Sequence, residues 1–219
     1  FDGDADRIGI VDGAGNIIWG DYLLIVYARD VLARTGPGQK IIFDVKCSQA
    51  LPDAIRAAGG EPVMWKTGHS LIKEKMKELH APLAGEMSGH MFFTEGFYGH
   101  DDALYGAARL IQILAQSGRT IAELLADVPR FISTPELRVD CPDAIKFDVV
   151  RKAVAYFRAR YDVIDIDGVR VMFGDGWGLV RASNTQPVLV LRFEARTQAS
   201  LDLIRGEVEG WLRAQGVSV

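Results

Sequence analysis

The chain has 219 residues, a length that allows one large domain or two smaller ones. With 48% hydrophobic and 25% charged residues it can bury a real core, which excludes a disordered or collagen-like chain. The formal charge of -4 implies no broad basic surface and argues against a nucleic-acid or polyanion binder. No apolar run reaches the roughly 18 residues that a membrane span needs.

In chain order, apolar stretches at 8–11 (IGIV) and 17–19 (IIW) flank Asp12-Gly13-Ala14-Gly15-Asn16, a hairpin signal. Asp21 then reads as the cap of a helix with Leu24, Tyr27, Ala28, Val31 and Leu32 on one face, stopped by Thr35-Gly36-Pro37-Gly38. A strand at 40–45, a helix near 49–58, a strand at 61–65, a helix through Lys77 and a strand at 82–85 follow with short turns. That alternation predicts an α/β unit with a mixed, mostly parallel sheet and flanking helices. Residues 102–116 read as an apolar helix, and Thr120-Ile121-Ala122-Glu123 as a capping box that opens another.

The pattern changes at 128–135 (VPRFISTP), where two prolines bracket a short link. Beyond it come a strand (ELRVD), a helix with Val150, Ala153, Val154 and Phe157 on one stripe, and a hairpin around Asp167-Gly168. Strands WGLVR (177–181) and PVLVLRFEA (187–195) then lead to a helix carrying Leu201, Ile204, Val208, Trp211 and Leu212 on one side. This second part reads as a small α+β domain with an antiparallel sheet. The two cysteines, Cys47 and Cys141, lie far apart and outside any CxxC, and are expected to be free thiols in a reducing cytoplasm.

Four segments carry possible chemistry. Asp2, Asp4 and Asp6 alternate with Gly3 and Ala5, and Arg7 follows. On an extended strand they share one face, where three carboxylates repel one another unless a cation joins them. All-oxygen ligands suit Mg²⁺ or Ca²⁺, although a solvated acidic turn would have the same composition. An EF-hand loop is excluded, because its glycine position is Arg7 and its bidentate Glu position is Gly13. Lys66-Thr67-Gly68-His69-Ser70 leaves a strand end, and Lys46 ends the preceding strand on the same edge, where open α/β sheets bind ligands. His69 there is either an acid/base group or a solvated residue at a helix start.

Gly85-Glu86-Met87-Ser88-Gly89-His90 ends the third strand on that edge. A carboxylate, a hydroxyl and an imidazole at alternate positions can grip vicinal sugar hydroxyls, or form an ordinary polar turn. In the second part, Arg181-Ala182-Ser183-Asn184-Thr185-Gln186-Pro187 is a hairpin tip whose Arg, hydroxyls and amide could cradle an anion. His80 and His100 read as surface or loop residues, and the four tryptophans as packing.

Taken in order, these four segments resemble the signature loops of bacterial phosphomannomutase/phosphoglucomutase, the α-D-phosphohexomutases, from residue 1 to the C-terminal helix. The resemblance implies a parent of four domains: three related α/β domains and a smaller C-terminal one. Residues 1–19 would then be the tail of the second domain, 20–130 the third and 131–219 the fourth. It further implies a reaction that moves phosphate between C1 and C6 of glucose or mannose. A phosphoserine would donate, and a 1,6-bisphosphate would reorient between steps. By the same resemblance Asp2, Asp4 and Asp6 correspond to Mg²⁺ ligands with Arg7 beside them. Lys46 and His69 face the substrate, and His69 and His90 are the acid/base candidates. Glu86 and Ser88 hold sugar hydroxyls, and Arg181, Ser183, Asn184 and Thr185 hold the non-transferring phosphate.

The departure from the family is an absence: no T-[AS]-S-H-[ND]-P-like phosphoserine loop occurs in these residues. The chain starts at Phe1 rather than Met, on its most acidic segment, and is expected to be a piece of something longer. Alone it is expected to lack mutase activity and to hold Mg²⁺ weakly or not at all. Its expected partners are a hexose phosphate, the missing N-terminal domains and, through Ile8, Ile10, Val11, Ile17 and Ile18, a second copy, with no nucleic acid or membrane. Glucose 1,6-bisphosphate is the activator implied for the parent. A phosphosugar-binding module without chemistry and a phosphoglucosamine mutase remain as alternatives.

Overall fold

The protein is described here from a computed structural model that covers residues 1–219. The chain forms two compact units, Phe1–Pro129 and Arg130–Val219.

In the first unit the hairpin predicted around residues 12–16 forms between β1 (Ile10–Val11) and β2 (Ile17–Ile18), with Val11 opposite Ile17. The Asp12 carboxylate closes its turn by accepting the Ala14 and Asn16 backbone N–H groups at 2.9 and 2.8 Å. Helix α1 (Gly20–Thr35) follows, but Asp21 does not cap it. The capping position is Trp19, whose carbonyl accepts the Leu23 N–H at 2.9 Å. Asp21 lies buried inside the first turn, where its carboxylate accepts the backbone N–H groups of Tyr22 and Ser48 at 3.0 and 2.9 Å. The helix is also apolar nearly all round, with Leu23, Ile25 and Val26 buried besides the predicted stripe. A helix buried on several sides reads this way, and α1 is flanked by a sheet strand and two other helices.

The predicted alternation is realised as β3 (Lys40–Asp44), α2 (Ala50–Ala57), β4 (Glu61–Trp65), α3 (His69–Leu79) and β5 (Leu83–Gly85). Strands β4, β3 and β5 pair in parallel, with Ile42 opposite both Val63 and Ala84. A strand not foreseen from the sequence, β6 (Met91–Phe93), adds antiparallel to β5 and gives the sheet order β4-β3-β5-β6. Three apolar residues between two glycine-bearing loops are too few to show a period. Helix α3 covers one face, where Ile72 and Met76 meet Ile42, Ala84 and Phe92. Helices α4 (Ala103–Ser117) and α5 (Ile121–Leu124) complete the unit, and α5 opens on the predicted capping box of Thr120 and Glu123.

The second unit contains β7 (Ile132–Ser133), β8 (Leu137–Asp140), α6 (Asp143–Arg158), β9 (Asp162–Ile164), β10 (Val169–Met172), β11 (Gly176–Ala182), β12 (Val188–Ala195) and α7 (Gln198–Ala214). Its strands are antiparallel in the order β7-β12-β11-β10-β9, with β8 also paired to β12. Val169, Val171, Val180, Leu191 and Phe193 on one sheet face form its core with Phe157 from α6 and Leu201, Val208 and Leu212 from α7. The opposite face carries Arg170 stacked on Trp177, 3.7 Å from the ring centroid, and the Trp177 indole N–H donates to Glu194 at 2.8 Å. The chain is therefore α/β in its first unit, with a mixed and mostly parallel sheet, and α+β in its second, with an antiparallel sheet. No helix is long and apolar enough to cross a membrane. Both cysteines are free and buried.

Candidate functional site

At the carboxyl edge of the first unit's sheet, three loops leave the ends of β3, β4 and β5, the place where open α/β sheets take ligands. The loop after β3 carries Lys46, buried, with its ammonium 3.6 Å from Asp44. The loop after β4 ends at Gly68, whose φ of 131° is a conformation that L side chains rarely adopt. His69 is thereby the first residue of α3, exposed at its N-terminus, with Ser70 Oγ 3.5 Å from its Nδ1. The loop after β5 is a tight turn closed by the Glu86 N–H to the His90 carbonyl at 2.9 Å and the Gly89 N–H to the Glu86 carbonyl at 3.0 Å.

The three loops are tied to one another. Glu86, 4% exposed, accepts the Gly68 N–H at 2.7 Å on one carboxylate oxygen and the Ser88 hydroxyl at 3.0 Å on the other. Burial and then the charge of Asp44 push the Glu86 carboxyl up, although the Gly68 N–H, His90 and Lys46 pull it back. The His69 and His90 rings face each other at 6.3 Å between centroids, inclined by 29°. His90 Nδ1 lies 3.2 Å from Asp101 and 3.7 Å from Asp6. Burial opposes ionisation of Asp101, but the hydrogen bond from Lys73 at 3.1 Å and the Lys73 and His90 charges outweigh it and hold that carboxyl low.

The acidic segment reaches the same place by a route that differs from the extended strand expected. Residues 2–7 form a turn, in which the Asp2 N–H meets the Arg7 carbonyl and the Ala5 N–H meets the Asp2 carbonyl, both at 3.4 Å. Ala5 sits at φ 59°, a left-handed value that curls the chain rather than extending it. Curling still brings Asp2, Asp4 and Asp6 together, with carboxylate oxygens within 4.8 Å of one another. Arg7 donates to Asp2 from its side chain at 2.6 Å and from its backbone at 3.1 Å. Those bonds and the Arg7 charge overcome the desolvation of Asp2 and hold its carboxyl down at about 2. Burial pushes Asp6 up against the pull of His90, and Asp4, Asp2 and Asp101 add to the rise. One buried Asp6 oxygen has no hydrogen-bond partner, which fits a cation ligand, and the all-carboxylate set fits Mg²⁺. An Arg7–His90 backbone bridge and the Ile8 N–H to Gly89 carbonyl bond at 3.1 Å join this turn to the loop after β5.

In the second unit, the tip between β11 and β12 is built around Ser183. Its hydroxyl oxygen accepts the Thr185 and Gln186 backbone N–H groups at 3.3 and 3.1 Å, and lies 3.5 Å from the Thr185 hydroxyl. Arg181 is buried and donates to Asp167 at 3.0 Å, while Asn184 and Thr185 are exposed. Asp167 reaches Arg181 because Gly168 follows it: a Cβ there would stand 2.3 Å from the Val180 carbonyl oxygen and 2.7 Å from Arg181 Cα. Lys146 steadies the tip by donating to the Gln186 carbonyl at 2.9 Å.

The structure thus gathers Lys46, His69, Glu86, Ser88 and His90 on one sheet edge and seats Asp2, Asp4, Asp6 and Arg7 beside His90. It places Arg181, Ser183, Asn184 and Thr185 on one tip of the other unit. Sequence reading missed Asp44, Asp101, Lys73, Asp167 and Lys146. Asp44 was within reach, since it ends the same predicted strand as Lys46, whereas Asp101 has no local signal. His80 and His100 are exposed as expected. Of the four tryptophans, Trp177 and Trp211 are buried, Trp65 packs partly buried against the cluster under α3, and Trp19 is half exposed.

Comparison with known proteins follows the same division. Residues 19–131 match the phosphoglucomutase/phosphomannomutase alpha/beta/alpha domain III, and residues 136–210 match the C-terminal domain of the same proteins. A phosphomannomutase/phosphoglucomutase of Pseudomonas syringae pv. tomato is 54% identical over 94% of this chain, which covers 44% of that protein. A phosphoglucomutase of Neisseria gonorrhoeae is 51% identical over 94% of this chain and is covered to 45%. The crystal structure of a phosphoglucomutase/phosphomannomutase family protein from Burkholderia thailandensis superposes with a TM-score of 0.87 at 50% identity, over 98% of this chain and 45% of that one. The chain therefore spans less than half the length of these relatives.

Proposed function

The chain belongs to the phosphoglucomutase/phosphomannomutase family, and on that premise we propose that it is the C-terminal part of a phosphohexomutase. The parent interconverts hexose 1-phosphate and hexose 6-phosphate of glucose or mannose through a phosphoserine and a 1,6-bisphosphate that also serves as activator. One observation carries this reading: an imidazole, His90, stands 3.7 Å from a carboxylate of the Asp2-Asp4-Asp6 turn on the sheet edge that also bears Lys46, His69, Glu86 and Ser88.

Phosphoryl transfer depends chiefly on positioning and charge neutralisation. Lys46 and Arg7 supply fixed positive charge, and His69 or His90 takes and returns the proton of the attacking or leaving hydroxyl. Ser88, whose one hydroxyl proton is given to Glu86, accepts from sugar hydroxyls on its oxygen, and Glu86 accepts from them through the lone pairs that Gly68 and Ser88 leave open. Arg181, Ser183, Asn184 and Thr185 hold the phosphate that is not being transferred, so the sugar can turn end for end without losing its anchor. Mg²⁺, held by Asp2, Asp4 and Asp6, neutralises phosphoryl charge when bound. Its hold on this chain alone is weak or absent, because the phosphoserine oxygen is not among these residues.

The 219-residue chain has no serine loop and is inactive by itself, a hexose-phosphate binder without chemistry. Of the five apolar residues expected to meet a second copy, Ile8 is buried within this chain and drops out, Ile10 and Ile18 are half-buried, and Val11 and Ile17 are exposed. These last two, with exposed Trp19 beside them, form the face assigned to upstream domains or, without them, to a second copy. The buried free thiols fit a cytoplasmic protein. The test is a coupled turnover assay with glucose 1-phosphate, glucose 1,6-bisphosphate and Mg²⁺. The chain alone should give no turnover, and the same residues joined to phosphoserine-bearing upstream domains should give it. Turnover by the isolated chain would refute the first statement, and none by the joined protein the second.

A further inference from the structure

Asp44 ends β3, the strand between β4 and β5, and is fully buried. A carboxylate in such a position costs several kcal/mol unless donors surround it. Its donors come from all three loops of the sheet edge. Oδ1 accepts the Met87 backbone N–H at 3.2 Å and the Cys47 thiol at 3.0 Å, and Oδ2 accepts the Thr67 hydroxyl at 3.1 Å. The Lys46 ammonium stands 3.6 Å from Oδ2. Met87 lies between Glu86 and Ser88, Thr67 is two residues before His69, and Cys47 is next to Lys46. One buried side chain is therefore bonded to the chain beside each sugar-facing residue.

We propose that Asp44 is a positioning residue of the hexose site: it touches no substrate but sets the mutual spacing of Lys46, His69, Glu86 and Ser88. This rests on the hexose-phosphate reading above. Each link is short-range and directional, so losing the acceptor at Oδ2 or the charge frees one loop to drift relative to the others. Displacements of about 1 Å at a binding or reacting centre can cost ~10²-fold. A residue that only closed the strand end would lower stability and leave the affinity of the folded protein unchanged.

The test uses the 219-residue chain with two substitutions, Asp44→Asn and Thr67→Val, and two probes, glucose 1-phosphate and inorganic phosphate. Binding is followed residue by residue through amide NMR shifts, well below each variant's melting temperature. Asp44→Asn should weaken glucose 1-phosphate binding, read at the 46, 67–69 and 86–90 amides, by roughly 10- to 100-fold, the range expected for lost hydrogen bonds to a charge. Thr67→Val, which deletes one link without touching the charge, should weaken it by about 3- to 10-fold. Inorganic phosphate at Ser183–Thr185 should bind both variants as it binds the unsubstituted chain. Exchange protection of the Gly68 amide, whose bond to Glu86 spans the freed loop and the loop after β5, should fall in Asp44→Asn while that of the β3–β5 strand amides holds.

If both variants bind glucose 1-phosphate normally, or lose only thermal stability, the inference is overturned and the functional reading stands. If the unsubstituted chain shows no glucose 1-phosphate shifts at these loops, both fall. Should Asp44→Asn fail to fold, Thr67→Val alone decides, and normal binding by it overturns the inference.

Discussion

Gly20→Ala is expected to destabilise the first unit, although local propensity predicts the reverse. Gly20 opens α1, and replacing a helical Gly by Ala gains up to about 1 kcal/mol. Here the added methyl would stand 2.5 Å from the Glu86 carbonyl oxygen, 2.7 Å from that of Met87 and 2.9 Å from the Gly89 nitrogen. All three are backbone atoms of the loop after β5, so no rotamer change relieves the clash. The loop is itself pinned by its own turn bonds and by Asp44, which places the cost at the upper end of the ~1–3 kcal/mol typical of overpacking. The net loss is about 1–2 kcal/mol, a urea-midpoint shift of roughly 0.5–1 M. Glucose 1-phosphate binding should weaken with it, because the displaced loop carries Glu86, Ser88 and His90. Gly206→Ala in α7 is the control: nothing lies within 4 Å of its Cβ, so propensity acts alone. It should raise the second unit's melting temperature by a few degrees, for a gain of about 1 kcal/mol. A Gly20→Ala chain as stable as the original, with sugar binding intact, would refute the packing argument.

Three further outcomes follow from the same geometry. Because burial raises the Glu86 pKa, the folded state holds that proton more tightly than the unfolded chain, whose Glu titrates near 4.5. Glu86 therefore contributes stability at low pH that is lost as pH rises from about 4.5 through its folded value. Glu86→Gln should flatten the pH dependence of urea unfolding above that point, and an unchanged slope would contradict the assignment. Ser183→Ala removes the acceptor of two backbone N–H groups at the second unit's tip and should cost about 1 kcal/mol in thermal melts while weakening inorganic phosphate binding. Arg109, which bridges Asp30 and Glu95 at 2.7 and 2.6 Å while 7% exposed, is a structural counterpart. Arg109→Leu should cost the first unit about 3 kcal/mol by chemical denaturation and leave phosphate binding at Ser183–Thr185 untouched.

The motif loops were legible because each follows or precedes a periodic element. Lys46, His69 and Glu86 come after apolar strands, and the Arg181–Thr185 tip stands between two. What stayed hidden depended on chain segments far apart in sequence. Asp101 meets His90 across 11 positions and a loop, and Lys73 reaches it from a helix face. Asp21 has the composition of a cap, yet Ser48, 27 residues on, supplies the N–H that draws it into the interior. The turn at residues 2–7 departs from expectation for the opposite reason: alternation suggests a strand, while one left-handed Ala5 curls the same residues into convergence.

By itself the sequence determined the order of the longer elements, though not the short strands β6 and β7, together with the change of architecture near residue 130 and the family, because periodicity, turn residues and contiguous motifs are local properties of the chain. Tertiary structure decided which groups share a site and in what state they are held. It placed His90 between two carboxylates, buried Glu86 beside Asp44 and seated the loop after β5 on Gly20. Those outcomes turn on distances of a few ångströms between segments tens of residues apart and on the desolvation that such packing imposes. No local pattern encodes either.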